Sequence, residues 1–267
     1  MTSSPSAFTG SIPELYDRYL GPALFEPYAA ELASRLPLGT ARVLEVAAGT
    51  GRVTRHLVAA LPVDGVVVAT DLNQAMLDHA ARVLADARVT WQAADAAALP
   101  TRDACFDAVV CQFGLMFFPD KAAALGEMRR ALRPGGRLLI STWDRLAHNQ
   151  ATAAMHDLAQ AMFADDPPLF MLTPFAMHDP AALAALAEAA GFVDVAVDTV
   201  AHTAHSPSAA ALAIGFVRGN PLWHQLTERG VDADRFERAV AARLAARFGA
   251  APCRSPLSAH VVTATAP

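Results

Sequence analysis

Lysine is almost missing from this chain: of 21 basic residues only Lys121 is one, and the arginines are scattered among 26 acidic residues for a net charge of −5. No basic patch forms, so the electrostatic footprint of a nucleic-acid binder is absent and a small-molecule partner is expected. Cysteine is scarce as well. Cys105, Cys111 and Cys253 are odd in number and never spaced C-x-x-C, which argues against a disulfide frame and against structural zinc and points to a reducing cytoplasm. Aromatics supply only 7% of 267 residues although 54% are hydrophobic. Apolar content this high excludes bulk disorder. The longest apolar runs, around Val66–Ala69 and Leu138–Ile140, are strand-sized, far short of the ~20 residues a membrane-spanning helix needs. Met1–Gly10 has neither a basic flank nor an apolar run, so no signal peptide is expected.

What the chain does have is alternation. Ala41–Ala47 is an apolar run broken only by Glu45; Gly49-Thr50-Gly51 then turns it into Val53–Leu61, which has helical periodicity. Val66–Thr70, Val89–Gln92, Phe106–Gln112 and Arg137–Trp143 read as further strands, with helices over Gln74–Asp86 and Lys121–Leu132 between them. Strand and helix alternating in this way imply right-handed crossovers and a parallel sheet covered on both faces. Ile12–Leu36 reads as two short helices interrupted at Gly21, Pro22 and Pro27. Past Trp143 the spacing predicts helices over Gln150–Phe163, Pro180–Ala190, Ser208–Arg218 and Asp232–Phe248, and strands over Val193–Val200 and His260–Thr265.

The glycine turn lets backbone approach a ligand closely. It is not a complete dinucleotide fingerprint, because the position three after Gly51 is Thr54. Asp71, twenty residues after Gly51 at the end of the second strand, stands where a carboxylate accepts both hydroxyls of a ribose, and Asp95 after the third strand suits an adenine amine. Each is alternatively a helix-capping or turn acid.

These residues resemble a class I S-adenosylmethionine-dependent methyltransferase, similar to the small-molecule enzymes of the ubiquinone and menaquinone type. The resemblance rests on Val43 to Gly51, Asp71 with Met76, Ala94-Asp95-Ala96 before Leu99-Pro100, Phe106 to Asp120, and Leu132-Arg133-Pro134-Gly135-Gly136, covering roughly residues 39 to 145. One departure is plain: Ala47 stands where the family has its first glycine. The resemblance implies S-adenosyl-L-methionine as cofactor. It places Gly49 and Gly51 against its amino-acid portion beside Ala47, with Glu45 supporting the turn. Asp71 then lies on the ribose, Leu72 and Met76 on the adenine, Asp95 and Ala96 at the adenine edge, and Gln112 and Phe113 near the sulfonium. In similar enzymes an N-terminal segment folds over the cofactor, which suggests Tyr16 as a lid hydroxyl.

The expected fold is α/β and Rossmann-like: one domain with a seven-stranded, mostly parallel sheet, helices on both faces and a partly helical lid. Its core takes in residues 37–146, 179–200 and 256–266, and its lid residues 12–36, 147–178 and 205–225. Phe170, Met171, Phe175 and Met177, where the regular pattern has stopped, are candidates for a pocket wall. Direct displacement at a sulfonium needs mainly alignment and exclusion of water. His148, five residues after Trp143, is the candidate base for a hydroxyl or amine acceptor; a solvent or helix-entry histidine is the alternative. The pair His202 and His205 has no acid partner in spacing, so no metal site is expected. The expected activity is methylation of O, N or C on a small aromatic or apolar acceptor. A non-catalytic S-adenosylmethionine-binding protein and an NAD-dependent oxidoreductase are the alternatives; Thr54 and Gln112-Phe113-Gly114 argue against the latter.

Overall fold

The computed structural model describes residues 10–163 and 172–267. Seven strands form one sheet: β1 (Arg42–Val46), β2 (Val66–Asp71), β3 (Val89–Ala93), β4 (Phe106–Gln112), β5 (Leu132–Trp143), β6 (Val193–Ser206) and β7 (Cys253–Thr265). Their order is β3-β2-β1-β4-β5-β7-β6, and β7 alone runs antiparallel to its neighbours. The mostly parallel α/β sheet expected from the sequence is present. Around it lie α1 (Ile12–Leu15), α2 (Glu26–Ser34), α3 (Arg52–Ala60), α4 (Gln74–Val83), α5 (Lys121–Ala131), α6 (Gln150–Met162), α7 (Pro180–Ala189), α8 (Ala209–Arg218), α9 (Leu222–Glu228) and α10 (Ala233–Phe248).

The sheet is covered on both faces. On one, Leu32 of α2 and Val53 and Leu57 of α3 pack over Val43, Val67, Val110 and Leu139. On the other, Leu125 and Met128 of α5 and Leu183 of α7 pack over Leu44, Val109, Leu138, Ile140 and Val262. Two-sided burial is why β4 reads as the unbroken run Phe106–Cys111, all of it buried, rather than as an alternating pattern.

Several expectations need correction. Ile12–Ser34 is one continuous helical run, because Gly21 and Pro22 fall within a π-helical stretch, Tyr16–Phe25, and Pro27 sits in the first turn of α2. A proline has no N–H to donate and its ring crowds the preceding turn, so a widened turn accommodates it where a regular α-helix would break. Strand β5 begins at Leu132 rather than Arg137, running through Pro134-Gly135-Gly136 with an irregular register against β4. Strands β6 and β7 are longer than read, pairing from Ala201↔Ser258 to Ser206↔Cys253, past the end of β5. The seven-residue helix α9 was not expected at all.

That antiparallel arm carries a third apolar cluster, in which Leu24, Phe25 and Tyr28 meet Trp143, Met155 of α6, Phe216 of α8, Phe236 of α10 and Leu257 of β7. The cluster thus takes in α10 and the arm beyond the segments expected to form a lid. Phe170 and Met171 lie outside the described residues.

Asp144, directly after β5, fastens the arm to the sheet. Its carboxylate accepts from Arg145 N (2.6 Å) and Ser258 Oγ (2.8 Å), with His148 Nδ1 at 2.6 Å and His260 Nε2 at 3.3 Å. Buried Asn149 adds Nδ2 to Ser258 O (3.0 Å) and accepts from Ser258 N (3.2 Å). Burial alone would raise the pKa of Asp144, but the bonds from His148, Arg145 and Ser258 with the nearby His260 outweigh it and hold the group down to about 2. A carboxylate held below its unfolded value stabilises the fold above roughly pH 4 and loses that contribution as pH falls toward 2. Acid unfolding followed by circular dichroism should therefore show a component between about pH 4 and 2 that Asp144→Asn removes, together with about 1–3 kcal/mol of stability at pH 7; overlapping acid curves for the two proteins would contradict it.

Candidate active site

At the carboxyl end of β1 the chain enters two tight left-handed positions, Ala47 (φ +57°) and Gly49 (φ +56°), before Gly51 (φ +76°) caps α3. Ala48 N donates to Thr70 O (2.9 Å) and Gly49 N to Asp71 Oδ2 (2.8 Å), so the turn is fixed to the end of β2. The other oxygen of Asp71 accepts from Asn73 N (2.8 Å), and Asp95 Oδ1 accepts from Ala97 N (2.9 Å). Both acids therefore make turn bonds and still border open space. Burial pushes the pKa of Asp71 up against the pull of its two N–H donors.

A cavity of about 220 Å³ lies over this edge. Tyr16, Ala47, Gly49, Asp71, Leu72, Met76, Asp95, Ala96, Gln112 and Phe113 line it, along with Asn73, Ala94, Gly114 and Phe117. Two of the residues expected to bind the cofactor are not in the lining. Glu45 is buried beneath the turn, where Thr54 Oγ1 donates to its Oε2 (2.6 Å). Gly51 is required by packing, since a Cβ there would stand 2.8 Å from the Trp91 ring and its φ is positive. Gly114, not singled out as a site residue, is glycine for a related reason: a Cβ would meet the Ala47 Cβ at 2.5 Å and Cys111 Sγ at 2.9 Å. The methyl that Ala47 adds is thus accommodated against Gly114.

The lining fits the expected cofactor on its own chemistry. Gln112 donates through Nε2 to Phe25 O (3.3 Å), while its Oε1 is buried with no partner among the described residues. That orphaned acceptor, an open face at Gly49 where a Cβ would only touch Met76 (3.7 Å), and spare lone pairs on Asp71 suit an ammonium, a close-lying chain and ribose hydroxyls.

A second cavity, of about 90 Å³, opens beneath the third cluster. It is bounded by Leu20, Leu24, Phe25, Trp143, Asn149, Thr152, Phe175, Phe216, Asn220 and Leu257, and it shares Tyr16, Phe113 and Phe117 with the first. Phe113 (φ +51°) lies flat on Trp143, centroids 3.8 Å apart and planes 6° apart, with Tyr28 edge-on to both at 5.4 and 5.5 Å. No charged side chain is among the described lining residues, and Asn149 and Asn220 bond to backbone. His148 lines neither cavity. Its ring is drawn to Asp144 and its side chain is 56% exposed.

Two consequences are testable. Burial pushes the Glu45 carboxyl up to about 8, so the folded chain holds a proton there that the unfolded chain releases near pH 4–5. Stability then falls as pH rises from about 4.5 to about 8, and the melting-temperature advantage of Glu45→Gln should grow from near zero at pH 5 to several degrees at pH 9, at ~2–4 °C per kcal/mol; parallel curves would contradict it. Gly114→Ala should cost about 1–3 kcal/mol by overpacking, and Ala47→Gly should recover part of that loss in a double-mutant cycle of chemical denaturation.

Comparison with known proteins agrees with this fold. Residues 43–136 match the family described as methyltransferase domain. A ubiquinone/menaquinone biosynthesis C-methyltransferase, UbiE, of Teredinibacter turnerae is 38% identical over 121 residues, 44% of this chain and 48% of that protein. The chain thus spans about half the length of the curated relatives it matches. Among solved structures, phosphoethanolamine N-methyltransferase 2 of Haemonchus contortus with S-adenosyl-L-methionine superposes at a TM-score of 0.62, 18% identical, over 98% of this chain and 58% of that one. The [4+2]-cyclase SpnF superposes at 0.58, also 18% identical, over 96% and 93%. Identities this low speak to the fold alone. The match over residues 43–136 makes that segment similar to a methyltransferase domain, and the strand order gives the whole chain the fold of the solved methyltransferases it superposes on.

Proposed function

We propose that this chain transfers a methyl group from S-adenosyl-L-methionine to O, N or C of a small aromatic or apolar acceptor. The observation that carries the reading is the adjacency of the two cavities: the larger, polar at one end, meets the smaller, apolar one at Tyr16, Phe113 and Phe117. The relatives named for ubiquinone and menaquinone biosynthesis support an aromatic acceptor in kind.

When bound, the cofactor supplies an electrophilic methyl on a sulfonium. Asp71 accepts ribose hydroxyls through its remaining lone pairs, Asp95 and Ala96 read the adenine edge, Leu72 and Met76 cover the adenine, and Gln112 Oε1 accepts from the ammonium. The faces of Tyr16 and Phe113 favour a cation over a neutral sulfur. Burial keeps the Tyr16 hydroxyl protonated well above its ordinary range, so it serves as a donor. In the apolar cavity the faces of Phe113, Trp143 and Phe175 would hold a flat acceptor next to the cofactor site and exclude water. Alignment of this kind supplies much of the barrier reduction for a direct displacement.

S-adenosylhomocysteine should raise the melting temperature while NADH does not. Asp71→Asn should weaken S-adenosylhomocysteine binding in calorimetry by roughly 2–3 kcal/mol. Methyl release over a panel of phenols, quinols and aromatic amines tests turnover; tight S-adenosylhomocysteine binding with no turnover on any of them would favour the non-catalytic binder, and stabilisation by NADH instead would overturn the cofactor.

A further inference from the structure

Tyr16 borders both cavities, so whatever holds its segment down controls access to them. The next residue, Asp17, has a side chain only 14% exposed and gathers donors from three places. Arg52 Nη2 reaches it at 2.5 Å, Arg55 Nη2 at 3.2 Å, Thr50 Oγ1 at 3.3 Å and His79 Nε2 at 3.2 Å. Arg52 also donates to the Asp17 carbonyl (2.8 Å) and to Glu26 Oε2 (2.8 Å), whose other oxygen meets His56 Nε2 at 2.7 Å. The Arg52 guanidinium lies so close over Gly21 that a Cβ there would collide with it.

Thr50 belongs to the glycine turn, Arg52 and Arg55 to the helix that follows it, and His79 to α4 after Asp71 and Asn73. One carboxylate on the π-helical stretch therefore ties that stretch to both elements that cradle the larger cavity. Burial opposes its ionisation, but Arg52, His79 and Arg55 outweigh that and lower its pKa. Lifting the segment would break the Asp17 bonds to two partly buried guanidinium groups, leaving Arg52 only Glu26 and Arg55 only the Thr50 carbonyl, which resists opening.

We infer that Asp17 is a positioning residue for the cofactor: it latches the π-helical segment over the nucleotide cavity and, through Thr50, sets the glycine turn in its binding conformation. The inference rests on the cofactor reading above. A ligand held under the segment leaves only when the latch opens, so its release rate carries the latch energy while the groups that touch it stay unchanged.

The test uses Asp17→Asn and two readouts. Stopped-flow displacement should show S-adenosylhomocysteine leaving the variant about tenfold faster or more. Added salt should speed release from the wild type and have little effect on the variant. Hydrogen exchange in the ligand-free protein should rise across residues 12–25 in the variant and stay unchanged in β1 and β4. Asp17→Glu, which keeps the charge, should recover most of the slow release. A variant with wild-type release and exchange overturns the latch. If Asp17→Asn does not fold, Arg55→Met removes one arm and should shift both readouts the same way; no shift there overturns it equally. A wild type that fails to bind S-adenosylhomocysteine overturns the cofactor reading and the coupling with it, while exchange across residues 12–25 still decides whether Asp17 holds the segment closed.

Discussion

A parallel sheet buried on both faces leaves polar chemistry only at the ends of its strands. Strands β1 and β4 have no solvated face, so an ionised or hydrogen-bonding side chain within them meets apolar surroundings, as the raised pKa of Glu45 records. At the carboxyl edge the chain leaves the ladder, backbone N–H groups come free, and acids such as Asp71 and Asp95 find donors without losing access to a ligand. Every group proposed to touch the cofactor follows from this restriction, Tyr16 excepted, which reaches the edge from the helical run above.

Much of that edge was legible in the sequence because it is local. A turn and the strand end that binds it are separated by one crossover, so Gly49 and Asp71 carry their own address in spacing. The strand Phe106–Gln112 is marked by the apolar run Ala108–Cys111. What escaped reading depends on partners distant in the chain or on weak patterns. The outer halves of β6 and β7 hold His202, Thr203, Ser255 and Pro256, residues without strand periodicity, and they pair only because the two strands already lie together. The donors on Asp17 come from 33 to 62 residues away. No spacing rule joins them. Helix α9, with seven residues, is too short for periodicity to register.

Two of the four described residues that carry a Cβ at a left-handed φ, Ala47 and Phe113, line the larger cavity. Ala47 and Phe113 both take left-handed φ values that cost a residue with a Cβ on the order of 1 kcal/mol each. Phe113 is held there by its face on Trp143, its N–H to Ser141 O (2.9 Å) and the edge of Tyr28. Ala47 is held by the space that Gly114 leaves for its methyl. The left-handed turn at Phe113 lets one ring line both cavities while the neighbouring glycine leaves room for Ala47, and packing of the third cluster supplies the stabilisation that offsets it.

The same packing bears on how the reaction is promoted. A general base must come within hydrogen-bond reach of the acceptor, and the one histidine that chain position favoured, His148, is turned away by a carboxylate that also fixes β7. Asp144 is needed for the antiparallel arm, and the arm is needed for the apolar cavity, so the fold uses His148 as part of its fastening. Within the described residues the apolar cavity then offers aromatic faces, saturated carboxamides and a protonated tyrosine, a lining that orients a nucleophile more readily than it deprotonates one. Under the proposed methyl transfer, such a lining suits acceptor atoms that already carry an available electron pair at neutral pH, with alignment rather than a base promoting the step.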